Sequence, residues 1–248
     1  MSYPYRKYCK TRWEDEKKDA SFLIKHNNLK IIALHSEMKE EINKMFGINN
    51  TIVVHNGVDF ERFSHTGRTN DLEREVLGIP KDAFVIGHVG RFSEAKNHRF
   101  LVRVFDELVK MNSKSFLLLV GAGDLKKEIV NTLHSLNLDD KYLILSNRFD
   151  IPDLLSVMDI FVFPSKYEGL PVSVVEAQVT GLRCILSDYI TKDCFFSSDA
   201  VPLSIEAQPS YWASVIMDFS VKGPYTNDIN DFNMKKVMAE LANIYTSD

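Results

Sequence analysis

The sequence predicts an α/β protein built on a doubly wound parallel sheet. From residue 29 onward, short runs rich in β-branched and aromatic residues alternate with helix-like stretches. Several of these runs, Phe161-Val162-Phe163 among them, are apolar without interruption, as strands covered on both faces are. The chain of 248 residues is 45% hydrophobic and 26% charged, an ordinary globular balance that can bury a sizeable core. That length leaves room for one large domain, or one and a half smaller ones, and excludes a bare peptide or tail.

Taken in order, strands are expected at 30–34, 51–55, 83–89, 116–121, 142–145, 160–164, 183–187 and 201–203. Helices are expected between and after them at 36–46, 97–111, 125–136, 151–157, 172–180, 208–220 and 233–245. Ser36, Asn97, Asp124 and Asp150 each offer a side-chain oxygen to the orphan amides of a first helical turn. Around Trp212, the helical spacing of Val215, Ile216 and Phe219 marks a core face.

The stretch Asn56-Gly57-Val58-Asp59-Phe60-Glu61-Arg62-Phe63 follows a strand and opens a polar region running to Glu75, with Asn-Gly favouring a turn. Residues 57–77 are therefore expected to connect two bodies. Ahead of them, a strand, a helix and a strand are too little to fold alone, so residues 1–56 are expected to be the remnant of another domain. Residues 78–220 form the principal domain, with 78–205 as its doubly wound sheet, and 221–248 a tail ending in a helix.

Lys and Arg number 30 against 34 Asp and Glu, and at a net charge of −4 nothing chain-wide favours nucleic acid as a partner. The charge is uneven: residues 1–30 carry eight Lys or Arg against four Asp or Glu. That segment reads either as a peripheral contact with anionic lipid, at about 1 kcal/mol per cation, or as a solvated helix. Cys9, Cys184 and Cys194 form no C-x-x-C pair and have no histidine at zinc spacing, so reduced thiols and a cytoplasmic location are expected, extending to the inner face of the membrane. The N-terminus lacks a signal-peptide apolar stretch, and no apolar run approaches the roughly 20 residues that cross a bilayer.

Two segments carry chemistry. In Gly87-His88-Val89-Gly90-Arg91-Phe92 a strand runs into a glycine turn, with Lys96-Asn97 at the mouth of the next helix. Ligands of open parallel sheets sit beyond the carboxyl ends of the strands, where Gly90 permits close backbone approach and Arg91 and Lys96 aim cations suited to phosphate. In Phe163-Pro164-Ser165-Lys166-Tyr167-Glu168-Gly169-Leu170-Pro171-Val172, followed by Glu176, Pro171 falls where a helix begins. The amides of Gly169, Leu170 and Val172 then form an anion seat at the positive end of the helix. Glu176, one turn in, is placed to accept from the hydroxyls of a ribose. Glu168 faces whatever lies beyond the phosphates. Taken singly, each feature also has a bland reading as a surface pair or a helix-dipole carboxylate.

Together these residues resemble the C-terminal half of a retaining glycosyltransferase of family 4 with the GT-B fold, and most of all its EpsF-like members of exopolysaccharide and capsule synthesis. The likeness runs through NGVD at 56–59, GHVGRF with KN at 87–97, LLLVGAGD at 117–124, Arg148 to Ile151, and FPSKYEGLPVSVVEAQ at 163–178. The carboxylates Glu168 and Glu176 match the family's E-x7-E element.

The resemblance implies an α/β Rossmann-like C-terminal domain that binds a nucleotide diphosphate sugar, most simply a UDP-sugar. Arg91 and Lys96, beside Gly90, would hold the diphosphate and Glu176 the ribose. Glu168 with Gly169, Leu170, Pro171 and Val172 would meet the sugar and distal phosphate, and Arg148 and Ile151 would lie against the base. Glu168, Arg91 and Lys96 are the catalytic assignments, each cation being worth about 2–4 kcal/mol by analogy with oxyanion donors. It further implies hexosyl transfer with retention to a growing, lipid-linked saccharide, with no cofactor and no metal, in keeping with the lack of a D-x-D. The family commonly has glycine where Ser146 or Asn147 stands. Two rivals remain open: a non-catalytic nucleotide-sugar module or one half of a split enzyme completed by a partner polypeptide, and a nucleotide-sugar epimerase.

Other motifs read as structure. Gly121-Ala122-Gly123-Asp124 lacks the third glycine of a dinucleotide fingerprint and the lysine of a Walker loop. His88 reads as a satisfied strand histidine and His98 as a solvated one.

Overall fold

The computed structural model describes residues 19–24, 29–64, 71–225 and 227–246. Cys9 and most of the basic segment 1–30 lie outside the described residues. Two compact units divide the chain, Met1–Val54 and His55–Asp248. Among the described residues no helix is long and apolar enough to cross a membrane.

In the first unit a β-α-β turn is visible. Strand β1 (Ile32–Ala33) pairs in parallel with β2 (Ile52–Val53), and helix α1 (Ser36–Phe46) connects them. His35, not Ser36, caps that helix: its Nδ1 accepts the Met38 amide at 3.3 Å. The helix ends on Gly47 at φ 64°, with the Gly47 and Ile48 amides both closing onto the Asn43 carbonyl.

The second unit opens with two short helices, α2 (Phe60–Ser64) and α3 (Asp71–Val76). Six strands follow: β3 (Phe84–Val89), β4 (Ser115–Val120), β5 (Tyr142–Leu145), β6 (Ile160–Phe163), β7 (Arg183–Ser187) and β8 (Ala200–Leu203). Helices α4 (His98–Met111), α5 (Lys126–Ser135), α6 (Ile151–Ser156), α7 (Val172–Val179), α8 (Pro209–Met217) and α9 (Met234–Thr246) complete it. All six strands are parallel, in the order β5-β4-β3-β6-β7-β8. From β3 the chain winds outward through β4 to β5, then returns to β6 and winds the other way. The switch point therefore falls between β3 and β6.

Burial accounts for the apolar runs. Every residue of β4, β6 and β7 is buried, as a sheet covered on both faces requires. Helix α4 turns Phe100, Leu101, Val104, Phe105 and Leu108 inward and packs on α8, where Phe100 meets Trp212 edge-on at 5.4 Å. The indole N–H of Trp212 donates to the Ser204 carbonyl at 2.8 Å, so this fully buried ring leaves no orphan donor.

The described parts of segment 57–77 are tied into the second unit. Val58 exchanges backbone hydrogen bonds with Phe232 and Met234 at 2.7 and 2.9 Å. Arg74, only 3% exposed, donates to the carbonyls of Ala83 and Val157 and to Asp159 Oδ2.

Several local expectations are corrected. Asn97 occupies a cap position in the left-handed region at φ 55°, yet its side chain donates to the Pro164 carbonyl instead of accepting. Leu125, not Asp124, precedes α5, and Asp150 makes no capping bond because Arg148 takes its carboxylate. Helix α8 stops at Met217, where Asp218 turns extended and binds Ser220. Phe219 is consequently 52% exposed and is no part of the core.

Candidate functional site at the β3/β6 switch point

The carboxyl ends of β3 and β6 are neighbours in the sheet, so the loops that leave them meet. After β3, Gly90 donates to the Val120 carbonyl at 2.9 Å and Phe92 to that of Ala122 at 2.9 Å. The turn after β4 lies directly against this backbone: a Cβ on Gly121 would fall 2.0 Å from the Gly90 oxygen. That approach, not a dinucleotide contact, accounts for the glycines of Gly121-Ala122-Gly123. A Cβ on Gly90 itself would stand 3.3 Å from the Lys96 stem and 3.0 Å from His88 Nε2.

Arg91 is exposed and has no hydrogen bond or ion pair among the described residues. Lys96 ends a short 3-10 turn at Glu94–Lys96 and is largely covered. Its Nζ lies 2.8 Å from Glu168 Oε1 and 4.6 Å from the centre of the Phe163 ring. Glu168 also accepts from Ser165 Oγ at 2.5 Å. The two loops are stitched by three further bonds, from Lys166 N and Ser165 Oγ to the Ala95 carbonyl and from Asn97 Nδ2 to the Pro164 carbonyl.

Behind that stitching, α7 begins at Val172 as expected, with Pro171 as its N-cap residue rather than its first helical one. The amides of Gly169, Leu170, Val172 and Ser173 make no hydrogen bond among the described residues. Nothing stands within 4 Å of where a Gly169 side chain would begin. Four free N–H groups at the start of α7, beside a cation, form a seat for negative charge.

Glu176 sits on α7, partly buried, and its carboxylate has no hydrogen-bond partner among the described residues. Burial pushes its carboxyl up to about 7, and the Arg62 guanidinium opposes that rise. Arg62 comes from α2, which packs on α7, and it also donates to the Phe149 carbonyl.

Arg148 and Ile151 follow β5, two strands from β3 at the same edge of the sheet. Arg148 is held by Asp150, and Ile151 begins α6. Between β5 and Arg148, Ser146 Oγ donates to the Gly121 carbonyl, while Asn147 adopts φ 56°. Asparagine here takes the left-handed position that glycine commonly fills, which its short polar side chain tolerates.

His98 is corrected: it is 1% exposed, packed edge-on to His88 at 4.6 Å and to Phe92 at 4.8 Å. Burial holds His88 well below the usual imidazole range and brings His98 down to about 4, so both rings are neutral near pH 7. Only His88 Nδ1 has a partner, the Val162 carbonyl at 2.9 Å.

Around one switch point the structure brings together Gly90, Arg91, Lys96, Glu168 and Gly169 to Val172, with Glu176 on the helix behind and Arg148 and Ile151 farther along the edge. Sequence reasoning passed over Arg62 and Ser165. Both lie inside motifs it had singled out, at Asn56 to Phe63 and Phe163 to Val172. Their role depends on partners 87 and 70 residues away, which no local pattern reports. Among the described residues, no group of three or more His, Cys, Asp or Glu is placed to hold a metal ion.

A doubly wound parallel sheet with cations, carboxylates and free amides collected at its switch point defines a Rossmann-like domain. The chain belongs to the family of glycosyl transferases group 1, whose profile matches residues 69–192. It is 40% identical over 169 residues to the EpsF protein of Bacillus subtilis (strain 168), covering 68% of this chain and 44% of that one. Over 230 residues it is 30% identical to the UDP-Gal:alpha-D-GlcNAc-diphosphoundecaprenol alpha-1,3-galactosyltransferase of Escherichia coli, covering 87% of this chain and 59% of the relative. The chain therefore spans about half the length of these curated relatives. The crystal structure of HepE of Anabaena with UDP and glucose superposes at a TM-score of 0.73, 20% identical, over 88% of this chain and 63% of that one. That likeness is one of fold: an α/β GT-B architecture, matched over part of its length.

Proposed function

We propose that residues 78–220 are the donor-binding domain of a sugar transferase, which passes a hexosyl group from a nucleotide diphosphate sugar, most simply a UDP-sugar, to a growing saccharide. What carries this reading is the coincidence of unbonded amides at Gly169 to Ser173 with the Lys96 ammonium at one switch point. A diphosphate is the ligand whose charge and size such a seat matches.

In this reading Arg91 and Lys96 meet the diphosphate, Glu176 accepts from the ribose hydroxyls, and Arg148 with Ile151 borders the base. Glu168, beside Lys96, faces the hexose. Transfer breaks the bond from the anomeric carbon to the diphosphate and forms one to the acceptor oxygen, with retention. Charge then grows on the leaving diphosphate, where Arg91, Lys96 and the amides are already in position, so little reorganisation is needed at the moment of reaction. A lipid-linked acceptor is supported by the undecaprenol diphosphate in the name of the Escherichia coli relative. UDP as the carrier is supported by that name and by the ligand of the Anabaena structure. Residues 1–56 belong in this reading to the acceptor-binding domain.

Calorimetric titration with uridine diphosphate tests the assignment. Binding is expected, weakened about tenfold or more by Arg91→Ala and by Glu176→Ala. Affinity unchanged in both variants would sink it.

A further inference from the structure

Phe149 projects from the loop after β5 with 86% of its surface exposed. Its carbonyl, however, is held by the guanidinium of Arg62, a hydrogen bond across 87 residues of sequence. The same guanidinium acts on Glu176, and α2, which carries it, packs on α7. Among the described residues Arg62 thus holds the loop proposed to border the base from a helix packed against the one that carries the carboxylate proposed to meet the ribose.

Among the described residues, the other charges near α7 are engaged elsewhere. On α2, Glu61 is paired with Lys235. On β7, which also packs on α7, Arg183 is spent on the carbonyls of Val215, Asp218, Phe219 and Val221, and Cys184 is a fully buried thiol. The turn Lys192–Cys194 meets α7 through Gln178, and its Asp193 stands beside His55. In the loop ahead of α7, Glu168 is occupied by Lys96. Glu176 therefore has Arg62 as its only electrostatic partner among the described residues.

We propose that Arg62 is a positioning residue of the donor site, a guanidinium that fixes the base-side loop at Phe149 and the ribose-side carboxylate of Glu176 relative to one another before the nucleotide arrives. The inference rests on the donor-site reading above. Arginine suits the task because its planar fork grips a carbonyl while its charge remains available to a carboxylate, which lysine cannot do in one geometry. It also explains an arginine in a segment whose backbone alone would suffice as a connection.

The test is calorimetric titration of the full 248-residue chain with uridine diphosphate from about pH 6 to about pH 8.5. Wild-type affinity should rise with pH through the ionisation of Glu176, and Glu176→Gln should flatten that rise. Arg62→Ala should move the rise upward by roughly half a unit or more and lower affinity near neutrality about threefold or more. Arg62→Lys should keep the midpoint while losing affinity, since it keeps the charge and gives up the fork. Unfolding midpoints matched to wild type show that the variants fold. An Arg62→Ala profile identical to wild type, or a loss equal at every pH, overturns the proposal while the donor site stands. If Arg91→Ala and Glu176→Gln also leave binding untouched, the donor-site reading has failed and this inference with it.

Discussion

Lys96 Nζ stands 2.8 Å from Glu168 Oε1 and joins the turn after β3 to the loop after β6 across the switch point of the sheet. Both side chains are more than four-fifths covered, and the ammonium also lies over the Phe163 ring. Two glutamates near an anion seat ought to repel a diphosphate. This ion pair answers that objection: one of the two carboxylates is already neutralised in the free protein, by the cation proposed to meet the phosphates.

The pair makes opposite predictions for its members. Lys96→Ala removes a cation and leaves Glu168 beside Ser165 alone, so uridine diphosphate should bind at least about tenfold more weakly. Glu168→Gln removes a negative charge facing the seat, so uridine diphosphate should bind as well or more tightly, while the intact sugar nucleotide loses affinity. Side-by-side titration with the two ligands checks this. Weaker uridine diphosphate binding by Glu168→Gln would show that the carboxylate serves the phosphates rather than the sugar.

Glu176 predicts a pH-dependent stability. Its carboxyl is raised to about 7 from the ordinary 4.5 chiefly by burial. A folded-state value above the unfolded one means that this stabilising contribution is complete below about pH 4.5 and lost as pH rises through about 7. Discounted for partial solvent access, the loss is on the order of 2 kcal/mol. Glu176→Gln mimics the protonated form and should be more stable than wild type near pH 8 by roughly that amount, and equal to it near pH 4. Urea unfolding at the two pH values checks it; a difference that does not vary with pH contradicts the burial argument.

Strands were legible because a sheet covered on both faces leaves its mark locally: the uninterrupted apolar run Ile160–Phe163 is fully buried, and Tyr142–Leu145 and Arg183–Ser187 have the bounds expected of them. The turns after β3 and β6 were legible for a related reason, since glycine and proline at strand ends encode local backbone shape. Caps were not. Ser36 lost to the neighbouring His35, whose imidazole nitrogen serves equally as an acceptor, and the carboxylate of Asp150 went to Arg148. Whatever depends on two distant segments was hidden. His98 looks like an exposed helix start until β3 and Phe92 close over it, and Arg62 is an ordinary surface arginine until Phe149 arrives.

Arg74 belongs to that hidden class and predicts a large structural effect. Its guanidinium satisfies the carbonyls of Ala83 and Val157 and one oxygen of Asp159, which in turn accepts the amide of Val85 at 2.7 Å. Arg74→Ala leaves the carbonyls of Ala83 and Val157 without this donor and the Asp159 carboxylate without its counter-charge, and should cost about 3 kcal/mol or more. Arg74→Lys, with one donor centre, should recover only part. Chemical denaturation measures both, and a loss under about 1 kcal/mol would mean that water replaces the guanidinium.

The closest backbone approach in the site supplies a prediction that links stability to binding. Gly121 lies so near Gly90 that a methyl group would sit 2.0 Å from the Gly90 oxygen and 2.9 Å from its carbonyl carbon. Neither atom belongs to a flexible side chain, so the main chain itself must give way. Gly90 is in turn bonded to Val120 and precedes Arg91, so the displacement passes directly to a residue assigned to the diphosphate. Gly121→Ala should therefore destabilise the chain by about 2 kcal/mol or more and also weaken uridine diphosphate binding, although Gly121 is assigned no ligand contact. Gly181→Ala is the control: it too replaces a glycine at positive φ, 78°, but nothing lies within 4 Å of its new methyl group. That variant should lose stability through backbone strain alone, on the order of 1 kcal/mol, and keep wild-type affinity. Equal affinities in the two variants would mean that the contact between the β3 and β4 turns is packing only, without influence on how Arg91 is presented.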